Sequence, residues 1–223
     1  SQENKTSVTF LTGHGERSLD QELQFFLSNL QQQYRVNQIA DAEGALPDFS
    51  NTDVLIIARP TQPMSQETRD ELSTYLKSGG KALFLLDPVI VLADQRMGLV
   101  ALHNPNSFGD FVEQYGIVLE DNLVFDLRKN ETVEVSDPQG GIVYRDYPYW
   151  LYAKSANQTV ARNIESVLMG WPSEVAFSSG SQFETTPLIA TSDSAAIDSV
   201  YQDISPGATV FQEVTDVNFV TAV

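Results

Sequence analysis

The sequence predicts an α/β fold: a doubly wound, mostly parallel sheet of the flavodoxin-like kind. Two observations lead there. Short apolar runs alternate with amphipathic segments through the first half, from Val8 to Phe125. The links between them are short, which implies strand–helix–strand crossovers with helices on both faces of one sheet.

Val8-Thr9-Phe10-Leu11-Thr12 reads as the first strand and runs straight into Gly13-His14-Gly15-Glu16. Ser18-Leu19-Asp20-Gln21 fits a capping box, so a helix is expected from Ser18. Leu19, Leu23, Phe26, Leu27 and Leu30 recur at helical spacing and predict one buried stripe. Tyr34 to Ile39 reads as the next strand. Asp53-Val54-Leu55-Ile56-Ile57-Ala58 is an unbroken apolar run, as in a parallel strand covered on both faces, and it ends at Arg59-Pro60.

Ser65 is the expected cap of a second helix, with Glu67 in its first turn, Leu72, Tyr75 and Leu76 inward, and Gly79-Gly80 as its stop. Lys81 to Leu86 reads as a fully buried strand ending at Asp87-Pro88. A third helix is expected from Asn106 or Ser107 through Tyr115, stopped by Gly116. Further on, Leu123 to Asp126, Val167 to Met169 and Pro187 to Thr191 read as strands. The stretch 127–157 is turn-rich, with Asp137-Pro138-Gln139-Gly140-Gly141 and a tyrosine-heavy run, and 178–186 reads as a loop. With no repeat or low-complexity linker, the expectation is a single domain over 1–223, its regular core at about 7–126 and an irregular extension of the same sheet at about 127–223.

The 223 residues carry 13 basic and 30 acidic side chains, a net charge of −17. Arg162 is the last basic residue, and the 61 residues after it hold eight acids. Phosphate neutralisation needs clustered Lys and Arg, so a nucleic-acid binder is excluded, and an anionic membrane surface would repel the chain. The absence of cysteine removes disulfide frameworks, thiol nucleophiles and cysteine-based metal sites. The longest apolar stretch, Ala82 to Ala93, is broken by Asp87-Pro88 and is too short to span a bilayer. The abrupt start and the apolar end Phe219-Val220-Thr221-Ala222-Val223 lead us to expect a fragment of a longer, membrane-anchored protein.

Ligands of open parallel sheets bind beyond the carboxyl ends of the strands. The expected topology brings Gly13, His14, Gly15, Glu16, Arg59 and Asp87 to one such rim. Histidine is the natural acid or base near neutrality, Glu16 would orient it, and Arg59 would clamp a carboxylate or phosphate. The structural alternative is a tight Gly-His-Gly turn with His14 bonded to neighbouring loops, and an Arg59–Asp87 pair. No Gly-x-Ser-x-Gly elbow occurs, no phosphate loop follows Gly13-His14-Gly15, and Ser18 stands where a dinucleotide fingerprint needs its third glycine. With two histidines, one of them His103 in a polar loop, no His-rich metal centre is expected, and no cofactor. The tyrosines and tryptophan at 144, 147, 149, 150 and 152 would line a sugar or partner surface, or anchor an irregular segment to the sheet.

The ordered set of these segments resembles the auxiliary components of uncharacterised ABC transport systems, the GldG-like group associated with gliding motility. The residues that carry the resemblance are Gly13-His14-Gly15-Glu16, Asp53 to Pro60, and Tyr75-Leu76 with Gly79-Gly80-Lys81. Asp87-Pro88, Tyr115-Gly116-Ile117, Asp121 to Asp126, Thr186-Pro187-Leu188 and Thr191-Ser192 continue it. Arg59 departs from it, standing where a small residue, often glycine, is expected. The resemblance implies a class I glutamine amidotransferase-like fold without that family's cysteine. It also implies an extracytoplasmic, periplasmic position and work beside an ABC permease and ATPase or a related auxiliary protein. The first functional expectation is therefore a non-enzymatic module binding a partner or small ligand at the rim. The rival is an enzyme of unknown reaction, hydrolase or carbohydrate-active, using His14, Glu16 and Asp87.

Overall fold

The computed structural model describes residues 5–206 apart from 43, 44, 138, 158, 160 and 202. The apolar terminal run Phe219 to Val223 lies outside the described residues, as do Glu213 and Asp216. The chain divides into two compact units: residues 1–87 with 105–111, and residues 88–104 with 112–223.

In the first unit, β1 (Ser7–Thr12), β2 (Arg35–Ala40), β3 (Val54–Ala58) and β4 (Lys81–Leu85) form a four-stranded parallel sheet in the order β2-β1-β3-β4. β3 is covered on both faces, with Leu55 through Ala58 all at 4% exposure or less. β4 is not the fully buried strand its apolar run predicted. It lies at the sheet edge, and Leu83 and Leu85, on one face of it, are each 41% exposed.

α2 (Gln66–Lys77) matches its expected signals: the Ser65 hydroxyl accepts from the Thr68 amide at 3.1 Å, and Gly79, at φ 94°, turns the chain out of the helix. α1 (Gln24–Gln33) starts six residues after Ser18, the expected start. Ser18 does use the capping chemistry, its hydroxyl accepting from Gln21 N at 3.3 Å and its amide donating to Glu22 at 2.9 Å, but it closes turns and not an α-helix. The stripe Leu19, Leu23, Phe26 and Leu30 packs on Val8, Phe10 and Ile56 while remaining only partly buried. The third helix is one short turn, α3 (Gly109–Glu113).

The second unit is made of hairpins and antiparallel ladders. β5 (Val89–Asp94) pairs with β6 (Gly98–His103), a hairpin the sequence reading did not anticipate. Its turn is built by Asp94, whose carboxylate accepts from Arg96 N and Met97 N, both at 2.8 Å, and by Gly98 at φ 78°. β7 (Ile117–Leu119) and β8 (Leu123–Asp126) follow, then a long hairpin of β9 (Asn130–Ser136) and β10 (Ile142–Ser155). The stretch expected to be irregular is thus mostly strand. The register shift between Tyr147 and Leu151 spans Pro148, which has no amide to give a ladder. β11 (Ser166–Gly170) and β13 (Ile189–Ala190) flank β10, β12 (Val175–Phe177) pairs with β7, and β14 (Ala195–Asp198) pairs with β8, all antiparallel.

The doubly wound, mostly parallel, flavodoxin-like and glutamine amidotransferase-like fold expected from the alternation is therefore overturned. Among the described residues fourteen strands stand beside three helices, and every ladder outside the first sheet is antiparallel. Residues 127–206 do not extend the first sheet but pair among themselves and with β7 and β8. Alternation carries through Leu85; beyond Pro88, β5–β6 and β9–β10 are consecutive strands joined by short links bounded by Asp and Gly, and strands joined in this way pair antiparallel.

The tyrosine cluster is part of this second core. Tyr147 and Tyr149 are buried, with ring centroids 6.0 Å apart, and Trp150 and Trp171 cross edge-to-face at 5.4 Å. The Trp171 indole donates to the Tyr147 hydroxyl at 2.8 Å, which donates to the Ile204 carbonyl at 2.5 Å. Burial pushes the Tyr147 phenol up to about 12. The cluster packs inward, with Tyr144 alone strongly exposed.

Candidate functional site

β1 ends at Thr12, and the next four residues turn on two glycines with positive φ, Gly13 at 124° and Gly15 at 72°. A Cβ on Gly13 would lie 2.5 Å from the Asp41 carbonyl oxygen, so only glycine lets the two segments approach this closely. The His14 carbonyl accepts from the amides of Thr61 and Gln62, each at 2.8 Å, which ties the loop after β1 to the loop after β3.

The His14 ring points inward and is 4% exposed. Its Nδ1 lies 3.0 Å from Glu16 Oε1 and its Nε2 lies 2.9 Å from Asp41 Oδ2. Glu16 Oε2 also accepts from the His14 amide at 2.7 Å, and Asp41 Oδ2 from the Thr68 hydroxyl at 2.7 Å. Both ring nitrogens thus face carboxylate oxygens, and a carboxylate accepts hydrogen bonds, so the geometry favours the doubly protonated ring. Burial alone would lower the His14 pKa; the hydrogen bonds and charges of Glu16 and Asp41 outweigh it and raise the pKa. Among the described residues no cluster of His, Asp and Glu has the arrangement of a metal site.

Arg59 and Asp87 belong to a second, more open group. Arg59 follows β3 in the left-handed region at φ 53°, the conformation that glycine adopts without cost, which is the physical sense of a small residue being expected there. Its amide donates to the Leu85 carbonyl at 2.7 Å. Its guanidinium lies 3.6 Å from Glu22 Oε1, to which the Arg17 guanidinium also donates. Arg59 Nε is buried with no hydrogen-bond partner among the described residues. Desolvation, then repulsion from Arg17, lowers the Arg59 pKa. Burial raises the Asp87 pKa against the opposing pull of Arg17 and Arg59.

The six expected residues thus fall into two sets. Gly13, His14, Gly15 and Glu16 form a locked loop whose histidine is buried, while Arg59 and Asp87 form a charged set completed by Arg17 and Glu22. Sequence reasoning missed Asp41, Thr68, Arg17 and Glu22. Asp41 had a signal, since it follows the expected strand Tyr34 to Ile39 as Gly13 follows the first. An open cleft of 510 Å³ lies at the opposite end of the sheet, lined by Asp53, Tyr75 and Lys81 among others, and includes none of the six. An apolar groove of 380 Å³ lies in the second unit between Val167, Phe177 and Leu188.

The sequence matches the family described as "ABC-type uncharacterized transport system" over residues 5–223. The chain belongs to that family. This family member is an auxiliary component of an ABC-type transport system. No curated protein matches the sequence significantly. Among solved structures it is similar to the mmIFT52 N-terminal domain, with a TM-score of 0.60 and 14% identity over 90% of this chain and 77% of that one. That likeness concerns the fold alone. No helix among the described residues is long and apolar enough to cross a membrane.

Proposed function

We propose that this auxiliary component is the extracytoplasmic partner-binding module of an ABC export assembly of the gliding-motility type. It would sit on the periplasmic face of a bacterial inner membrane, anchored by segments outside this sequence. It would work with the permease and ATPase subunits or a related auxiliary protein, and bind its partner through the rim at the carboxyl ends of β1, β3 and β4. Gly13 and Gly15 offer exposed backbone there, and Arg59 and Asp87 offer charge.

The observation that carries this reading is the state of His14. An acid or base must present a nitrogen to substrate, and both His14 nitrogens are held by carboxylates in a buried site outside either cavity. What the motif supplies is rigidity: it fixes the loops after β1, β2 and β3 to one another and holds the rim in a single shape.

The test is assembly of the full-length complex in membranes. Arg59→Ala and Asp87→Asn are expected to cut co-purification of the permease by tenfold or more while the domain keeps its thermal unfolding midpoint. Unchanged co-purification in both variants would overturn the reading.

A further inference from the structure

Arg59 presents an anomaly that folding alone leaves unexplained. A large cationic side chain occupies a left-handed position that glycine would fill without strain, and its Nε is buried without a partner. Buried donors are normally satisfied, and strained residues persist where something else requires them. Arg17 stands beside it, Glu22 Oε1 lies within 4.0 Å of both guanidiniums, and the charge of Asp87 also acts on both. The Glu22 oxygen is 3.6 Å from Arg59, too far for a hydrogen bond. The Glu22 side chain is 37% exposed, as is that of Arg17. Its other oxygen is already held by the Ser18 amide at 2.9 Å.

We infer that Arg17 and Arg59 form a carboxylate-binding subsite for an acidic side chain of the partner, and that Glu22 is its intramolecular stand-in. The inference rests on the rim being the partner surface. The chemistry follows from the donors: two planar guanidiniums, on side chains 37% (Arg17) and 18% (Arg59) exposed, match the fork of a carboxylate better than the single oxygen Glu22 presents. The incoming group displaces Glu22 Oε1 from Arg59 and leaves Glu22 on Ser18. The chain's net charge of −17 does not forbid an acidic partner, because at physiological ionic strength charges beyond about 8 Å are largely screened.

The experiment titrates the isolated chain with the end-blocked tripeptide Gly-Glu-Gly, its Gly-Gln-Gly counterpart and inorganic phosphate, reading the backbone amide resonances of Gly15 and Arg59. The Glu peptide is expected to give saturable shifts and the Gln peptide none. Glu22→Gln removes the competing charge and is expected to tighten binding about two- to fivefold, the range of an exposed ion pair. Arg59→Lys, which keeps charge and loses the fork, is expected to weaken it beyond detection. Phosphate binding in preference to the Glu peptide, equal response to both peptides, or no response in wild type and Glu22→Gln overturns the carboxylate subsite. Such a failure with rim substitutions still disrupting assembly would leave the proposed function standing. Carboxylate binding with assembly unaffected by Arg59→Ala and Asp87→Asn would do the reverse.

Discussion

Replacing His14 with alanine removes a cation from between two largely buried carboxylates, whose side chains are 3% (Glu16) and 14% (Asp41) exposed. Each carboxylate keeps one partner, Glu16 the amide of residue 14 and Asp41 the Thr68 hydroxyl, so neither is stripped completely. Breaking a buried ion pair from one side costs about 3–5 kcal/mol, and these retained bonds place the expected loss near the lower end, about 3 kcal/mol. Urea unfolding of wild type and His14→Ala at pH 6 reads this directly. Asp41→Asn in the same background supplies the control: the double variant should lose less than the sum of the singles, by about 0.5–3 kcal/mol, because the uncompensated charge is gone. A loss below about 1 kcal/mol, or strict additivity, would refute the assignment of His14 as a buried imidazolium. Its pH dependence has a definite sign. The folded-state pKa lies above the ordinary 6.5, so the stability His14 contributes is fully present below about pH 6.5 and is lost as pH rises through the raised value. Wild type should weaken as pH rises above 6.5, and His14→Ala should not.

Two further substitutions separate strain from binding and core from rim. Arg59→Gly relieves a left-handed residue worth roughly 1–2 kcal/mol against the 0.5–1 kcal/mol that glycine costs in chain entropy, so thermal stability should hold or rise while assembly falls. A drop in unfolding midpoint would show that Arg59 serves the fold. Tyr147→Phe removes the acceptor of the Trp171 indole and the donor to Ile204, and leaving these groups unpaired should cost about 1–3 kcal/mol by chemical denaturation with the rim untouched.

Signals confined to a few neighbouring residues were legible in the chain. The Ser65 cap, the Gly79 stop and the unbroken run Val54 to Ala58 reappear as α2 and β3 because cap chemistry and burial pattern are local. Ser18 shows the limit of such signals. Its capping bonds form, yet Glu22 is also drawn to Arg17, and the segment closes as turns. In the hairpin β5–β6, the first strand was hidden inside an apolar run and the turn was marked only by Asp94 and Gly98. The gathering of the Gly-His-Gly-Glu loop with Arg59 and Asp87 at strand ends followed from reading three parallel strands. Which side chains turn inward did not, since that depends on Asp41, Thr68 and Glu22, brought there from 27, 54 and 8 positions away from His14.

The sequence alone determined the first parallel strands, the capped second helix, the glycines that permit the tight loop after β1, and a net charge of −17. These depend on propensity, period and composition, which a single chain carries in short windows. The tertiary structure decided the rest: that the second unit pairs antiparallel, that His14 is enclosed between two acids, and that Arg59 stands strained beside Arg17. Each of those outcomes is a long-range pairing, selected by burial and charge compensation between residues whose spacing along the chain carries no record of the contact.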